Sequence, residues 1–229
     1  MNIIEIILNA LRLIFAYDPL LFEIIFLSLK VSFIALLISS FFALIFGYIL
    51  ALKEFYLKNF LLIITNSFMG VPPVVVGLIV YFLFANGGPL GVFRLLYSPA
   101  AMVIAQILIV FPIIASLSHE IFLQSWRLYK DQFRAMNIPF FGIIKILTLH
   151  SYFLLLTVLL SAFGRAISEV GAVMIVGGNI DHYTRVMTTA ISLETRMGNL
   201  EYAMALGIVL IVLTTIIYSI VYIFNIKKR

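Results

Sequence analysis

Charged and apolar positions segregate into long blocks along this chain. No Asp, Glu, Lys or Arg occurs in residues 31–52, 59–93, 95–118, 146–164 or 202–226. About 20 apolar helical residues cross a hydrocarbon core of roughly 30 Å. Backbone in lipid must satisfy its own hydrogen bonds, and single segments of this length do so as helices. The pattern predicts five spans, at about 21–52, 59–84, 99–118, 147–176 and 202–226. The expected fold is an all-α polytopic membrane protein, not a soluble domain with several buried helices.

The first 18 residues read differently. Asn2, Glu5, Asn9, Arg12 and Ala16 recur at spacings of three and four among Ile, Leu and Phe, a narrow polar stripe on an apolar helix. Residues 2–16 would be about 22 Å long, and Asp18-Pro19 stops them. The segment lacks the basic leading region and small-residue cleavage site of a signal peptide. It is expected as an interfacial helix (residues 1–18) ahead of a membrane domain (residues 19–229), a short first span being the alternative.

Composition sharpens this picture. Hydrophobic residues make up 64% of the 229 and charged residues 11%, where a soluble domain carries about 25% charged. The absence of cysteine excludes disulfide and thiolate metal sites. The net charge of +5 is not pooled in one basic tract, so nucleic acid is not expected as a partner. Instead, cations punctuate the spans. Lys53, Lys58, Arg127, Lys130, Arg134, Lys145, Lys227, Lys228 and Arg229 fall on one side, and Arg12, Arg94, Arg185 and Arg196 on the other. The richer side is expected to be cytoplasmic, which puts the N-terminus outside and the C-terminus inside.

Three features could carry chemistry. In Gly70-Val71-Pro72-Pro73-Val74-Val75-Val76-Gly77 two prolines remove two backbone donors inside the second span. They bend or interrupt the helix, either as a packing kink or as an unwound stretch beside a solute path. Arg165 and Glu169 lie one turn apart inside the fourth span. Their residues alone favour a structural ion pair, and an arginine on an anion path is the other reading. The polar region of about 119–148 is the third. Its helical composition to Met136, the stop Asn137-Ile138-Pro139 and a new start at Phe140-Phe141-Gly142 would suit two short helices meeting at a corner. Physics alone favours an ordinary solvated loop there.

No phosphate-binding G-x-x-x-x-G-K-[ST] occurs, so the chain should not hydrolyse ATP itself. His119, His150 and His182 are far apart and give no metal signature. Ser39, Ser40 and Ser161 read as helix-packing residues. No G-x-S-x-G nucleophile elbow is present.

A resemblance adds to these readings. Asp131-Gln132-Phe133, Asn137 and Leu147-x-Leu149-His150 keep the spacing of the coupling-loop pattern EAA-x3-G-x9-I-x-L-P of ABC-importer permeases, with Asp, Asn and His in place of Glu, Gly and Pro. The segments 70–78, Gly88-Pro89-Leu90-Gly91 and Arg165-Ala166-Ile167-Ser168-Glu169-Val170-Gly171-Ala172 resemble permeases of the molybdate/tungstate group. Residues 174–180 and 184–191 look most like the tungstate type. The likeness covers about residues 20–225 and reverses the preference at the polar loop.

It implies a bacterial inner-membrane permease acting as a homodimer, driven by two cytoplasmic ABC ATPase subunits that use ATP and Mg. An extracytoplasmic oxyanion-binding protein would supply tungstate, or alternatively molybdate or sulfate. No cofactor is expected in this chain. The resemblance implies ATPase coupling through Asp131, Phe133, Ala135, Met136, Asn137 and Phe140. It implies a path near Pro72, Pro73, Gly77, Arg165, Ser168 and Glu169. An ATP-independent channel or carrier is the reading from another class.

Overall fold

The computed structural model describes residues 3–226, with side chains to residue 223. Asn2 of the polar stripe and the Lys227-Lys228-Arg229 cluster lie outside the described residues. Ten α-helices follow in order: α1 (Ile3–Phe15), α2 (Pro19–Leu52), α3 (Lys58–Met69), α4 (Pro73–Phe84), α5 (Pro99–Ala135), α6 (Phe140–His150), α7 (Tyr152–Ile167), α8 (Gly171–Gly177), α9 (Met187–Met197) and α10 (Leu200–Ile226). Three are long and apolar enough to cross a membrane: α2, α5 and α10. The pairs α3–α4 and α6–α7 raise the number to five if each counts as one span, but they are bent by 106° and 72°.

Three of the five expected spans are single helices; the second falls on the bent pair α3–α4, and the fourth, expected over 147–176, is divided among the end of α6, α7 and α8. The third is also longer than expected. It runs on without a stop from the apolar block to Ala135, so residues 119–135 are the end of one 37-residue helix and not a separate short one. Loss of apolarity at Ser118 marks where a helix can leave lipid, and says nothing about where its hydrogen bonding ends. Pro112 is absorbed within this helix and buried.

The centre of the bundle is the α2–α5 crossing. Ser28, Ser32, Ala35, Ser39, Ala43, Gly47 and Ala51 recur every three or four residues along α2, and all are buried. Such small residues let backbones approach closely where lipid offers no hydrophobic drive to association. A Cβ on Gly47 would collide with the Ser118 hydroxyl and lie 3.2 Å from the carbonyl oxygen of Ala115 and from the amide nitrogen of His119. Val31 shares a buried cluster with Met102 and Ala105, Ala43 with Val110 and Ile114, and Tyr48 with Phe122. Residue numbers rise together along both helices, so α2 and α5 run in the same direction. The α3–α4 pair makes the return journey between them.

The N-terminal helix packs its buried Ile6 and Ala10 toward the bundle, and Asn9 donates to Glu201 at the start of α10 (2.8 Å). Ile3, Ile4, Leu8 and Phe15 stay exposed. The expected 180–199 loop contains α9, whose first residues Met187, Thr188, Thr189 and Ala190 are buried. At the same end, His182 Nδ1 pairs with Glu23 Oε2 at 2.9 Å. That hydrogen bond and the charge of Glu23 raise the imidazole above its ordinary pKa.

The crossing makes a direct prediction. Gly47→Val should destabilise the solubilised chain by about 1–3 kcal/mol, because backbone lies on the other side of the contact. Thermal unfolding in detergent measures this, and an unchanged melting temperature would contradict the close approach.

Candidate functional site

The Gly70–Pro73 segment ends one helix and starts another for backbone reasons. Gly70 N–H donates to Ser67 O (3.1 Å) and Val71 N–H to Phe68 O (3.4 Å), which closes α3. Neither Pro72 nor Pro73 has an N–H to extend it. Pro72 is extended (ψ 127°) and Pro73 occupies the first position of α4, where its fixed φ suits a helix start. Two 12-residue helices of about 18 Å each result, neither able to cross alone.

A second break lies at Ser168–Val170, between α7 and α8. Ser168 folds its hydroxyl back to Gly164 O (2.8 Å). Glu169 is buried, 5% exposed. Its Oε1 accepts from Ala172 N–H at 3.4 Å, and its Oε2 lies 3.6 Å from Arg165 Nη2. The Glu169 carbonyl accepts from the Thr188 hydroxyl (2.7 Å). From α5, Gln106 donates its amide to Ala166 O (3.1 Å). The break is therefore anchored from α5, from α9 and by its own carboxylate. Gln106 and Thr188 escaped the sequence reading. A lone Gln in an otherwise apolar block was the available signal for the first, since polar groups in a span need a partner.

The two breaks meet. A Cβ on Gly77 would stand 2.7 Å from Ala172 Cα, and one on Gly171 would stand 2.5 Å from Val74 Cγ2. With Val74 at Gly171 and Gly77 at Ala172, α4 and α8 lie side by side with their starts together. Glu169 occupies the start of α8, whereas no side chain caps α4. Gly77 is buried and holds the two helices in contact. Pro72 and Ser168 are exposed and Pro73 is half-buried. The Arg165 side chain is 46% exposed against 6% for Glu169. The buried carboxylate thus has a cation beside it at 3.6 Å while the guanidinium itself stays half-exposed.

The other expected site is at the far end of α5. Asn137 adopts φ +49°. Its N–H donates to Arg134 O (3.2 Å) and that of Ile138 to Phe133 O (3.1 Å), the paired bonds of a Schellman stop. Pro139 then opens α6. Phe133 is buried with Leu147, Phe122 and Ile138 inside the corner. Asp131, Ala135, Met136, Asn137 and Phe140 are exposed around its tip. Phe133 braces the elbow from within, and the other five form its outer surface. His150, where the family pattern has Pro, approaches Tyr129 with Nε2 3.4 Å from the phenol oxygen. Among the described residues no group of three His, Asp or Glu could hold a metal ion.

Residues 43–229 match the family described as the binding-protein-dependent transport system inner membrane component. The chain is 37% identical over 213 residues, 93% of each chain, to a tungstate uptake system permease protein, TupB, of Peptoclostridium acidaminophilum. It is 37% identical over 191 residues to a probable anion ABC transporter permease protein of Haloferax volcanii, covering 81% of this chain and 82% of that one. A TupB of Campylobacter jejuni is 36% identical over 160 residues, 70% of this chain and 67% of its own. An all-helical membrane bundle with an elbow between its spans, matched over most of its length, makes this chain a member of the binding-protein-dependent inner-membrane components: the permease of an ABC importer, and not its ATPase.

Proposed function

We propose that this permease conducts a tetrahedral oxyanion, tungstate before molybdate or sulfate, along a path that passes the two helix breaks. The observation that carries the reading is the apposition of the Pro72–Pro73 and Ser168–Val170 breaks beside a half-exposed arginine. A dianion loses a large hydration energy in hydrocarbon and needs a route lined with donors. The uncapped start of α4 offers partial positive charge, and Arg165 offers a full one. Glu169 would repel the anion were it not engaged by Arg165 and the α8 backbone. Preference for tungstate rests on the two tungstate uptake relatives, because molybdate and tungstate share charge and shape.

In this reading the chain works as a homodimer in the bacterial inner membrane, with the path near the dimer axis. The elbow faces the cytoplasm and meets an ATPase that binds ATP and Mg. The opposite loops face the binding protein, and α1 lies in the outer interface with its apolar residues in lipid. A nucleotide-driven change between two rigid-body arrangements would expose the path alternately.

The test is uptake of labelled tungstate by vesicles holding the permease, its ATPase and its binding protein. Unlabelled tungstate should compete better than molybdate or sulfate, and Arg165→Gln should lower uptake about tenfold, the scale of one charged hydrogen bond. Equal competition by molybdate would overturn the substrate, and full uptake by the variant would remove Arg165 from the path.

The elbow has its own test. Ala135→Glu should prevent co-purification with the ATPase, since an unpaired charge buried at a contact costs several kcal/mol in order of magnitude. Retention of both assembly and transport would show that the ATPase docks elsewhere.

A further inference from the structure

The hydroxyl of Tyr48 ties the elbow back to α2. Tyr48, on the penultimate turn of α2, is 8% exposed. Its ring lies flat on Phe122 of α5, centroids 3.6 Å apart and planes 13° apart. The phenol oxygen reaches across to α6, 3.1 Å from the carbonyl oxygen of Ile144 and within hydrogen-bonding distance of the Thr148 hydroxyl. Thr148 itself donates to the same carbonyl at 2.8 Å. With its own proton on that carbonyl, the Thr148 oxygen accepts, so the Tyr48 O–H has two acceptors on α6, an element 100 residues away, inside a largely apolar corner.

The surroundings make this arrangement mechanical. One residue, Ser151, separates α6 from α7 at the 72° bend. Its hydroxyl is hydrogen-bonded to that of Ser125 on α5 (3.0 Å), and both residues are buried. Leu147, fully buried, fills the corner between them. The hinge is thus pinned to α5 by Ser125, and the body of α6 is pinned to α2 by Tyr48. Phenylalanine would supply the same ring against Phe122. Packing alone does not call for the hydroxyl, and a buried hydroxyl is costly unless it is bonded.

We infer that Tyr48 is a positioning residue for energy coupling. It holds α6 to α2, so a push on the elbow moves α2 and α5 as one body and does not merely flex the chain at Ser151. This rests on the reading above that the elbow receives the ATPase stroke. Loss of the tie leaves the ATPase bound and active while less of each stroke reaches the helices that hold the path.

The experiment compares tungstate taken up per ATP hydrolysed in vesicles with the complete complex. Tyr48→Phe should keep ATPase co-purification and hydrolysis, with uptake per ATP falling about fivefold, the scale of one neutral hydrogen bond. Thr148→Val should lower the ratio in the same direction, and Thr148→Ser, which restores the hydroxyl, should match the unsubstituted complex. A purely structural role would lower both rates together and leave the ratio alone. An unchanged ratio in Tyr48→Phe and Thr148→Val overturns the inference, and the Thr148 pair decides it if Tyr48→Phe does not assemble. Ala135→Glu in the same vesicles separates the two failures, since intact coupling there would overturn the elbow reading itself.

Discussion

At Gly47 any side chain on α2 would run into the Ser118 hydroxyl and crowd the backbone of Ala115 and His119 on α5, and the rest of the molecule is arranged around that contact. Lipid tails are as apolar as leucine, so helices in a bilayer gain little from hiding apolar surface from one another. What they gain is dispersion from close approach, and close approach needs small side chains. The stripe from Ser28 to Ala51 provides it along the whole of α2. Because the two helices run in the same direction, another element must return the chain between them, and α3 and α4 do so in a bent form. Because α5 runs on past the end of α2, its last turns can carry the elbow, which packs back against Tyr48 and Phe122.

The second constraint is that every backbone group at membrane depth needs a partner. A broken helix exposes such groups, and besides the bend at Ser151 this bundle has two breaks that lie side by side. At Ser168–Val170 the exposed groups are met by Gln106, Thr188 and the Glu169 carboxylate. At Pro72–Pro73 the prolines lack the donors that would otherwise be stranded. Irregular backbone at the Ser168–Val170 break is therefore partnered from α5, from α9 and by its own carboxylate.

Much of this was legible in the sequence, for physical reasons. Five charge-free blocks follow from the thickness of the bilayer. Pro72-Pro73 removes two consecutive donors, which no helix spans intact, and Asn137-Ile138-Pro139 combines a left-handed stop with a residue that cannot continue the helix. What was hidden depends on tertiary contact. Pro112 costs only one donor and stays within α5, buried where it lines a cavity with Phe46, Leu108 and Phe111, so a single proline did not mark a break. Nothing in the propensities of 147–176 separates α6, α7 and α8, because the interruptions at Ser151 and Ser168–Val170 are stabilised by α5 and α9. The apolar stripe of α9, Met187, Ala190 and Ile191, spans little more than one turn, too short for periodicity alone to mark a helix. Gln106 meets Ala166 and Tyr48 meets Thr148 across long stretches of chain, beyond the reach of any local pattern.

The central claim is that the paired breaks line a route whose access alternates with the nucleotide state of the ATPase. The chain contains no cysteine, so a thiol at Ser168 is the permease's single one and its labelling can be read on the permease itself. In the reconstituted complex, labelling of Ser168→Cys by a membrane-impermeant thiol reagent should change in opposite senses from the two sides of the membrane when the ATPase is trapped with nucleotide. A thiol at Leu37, exposed on the outer face of α2, should show no such dependence. If Ser168→Cys labels equally in both states, and no better than Leu37→Cys, the breaks face lipid and the route lies elsewhere.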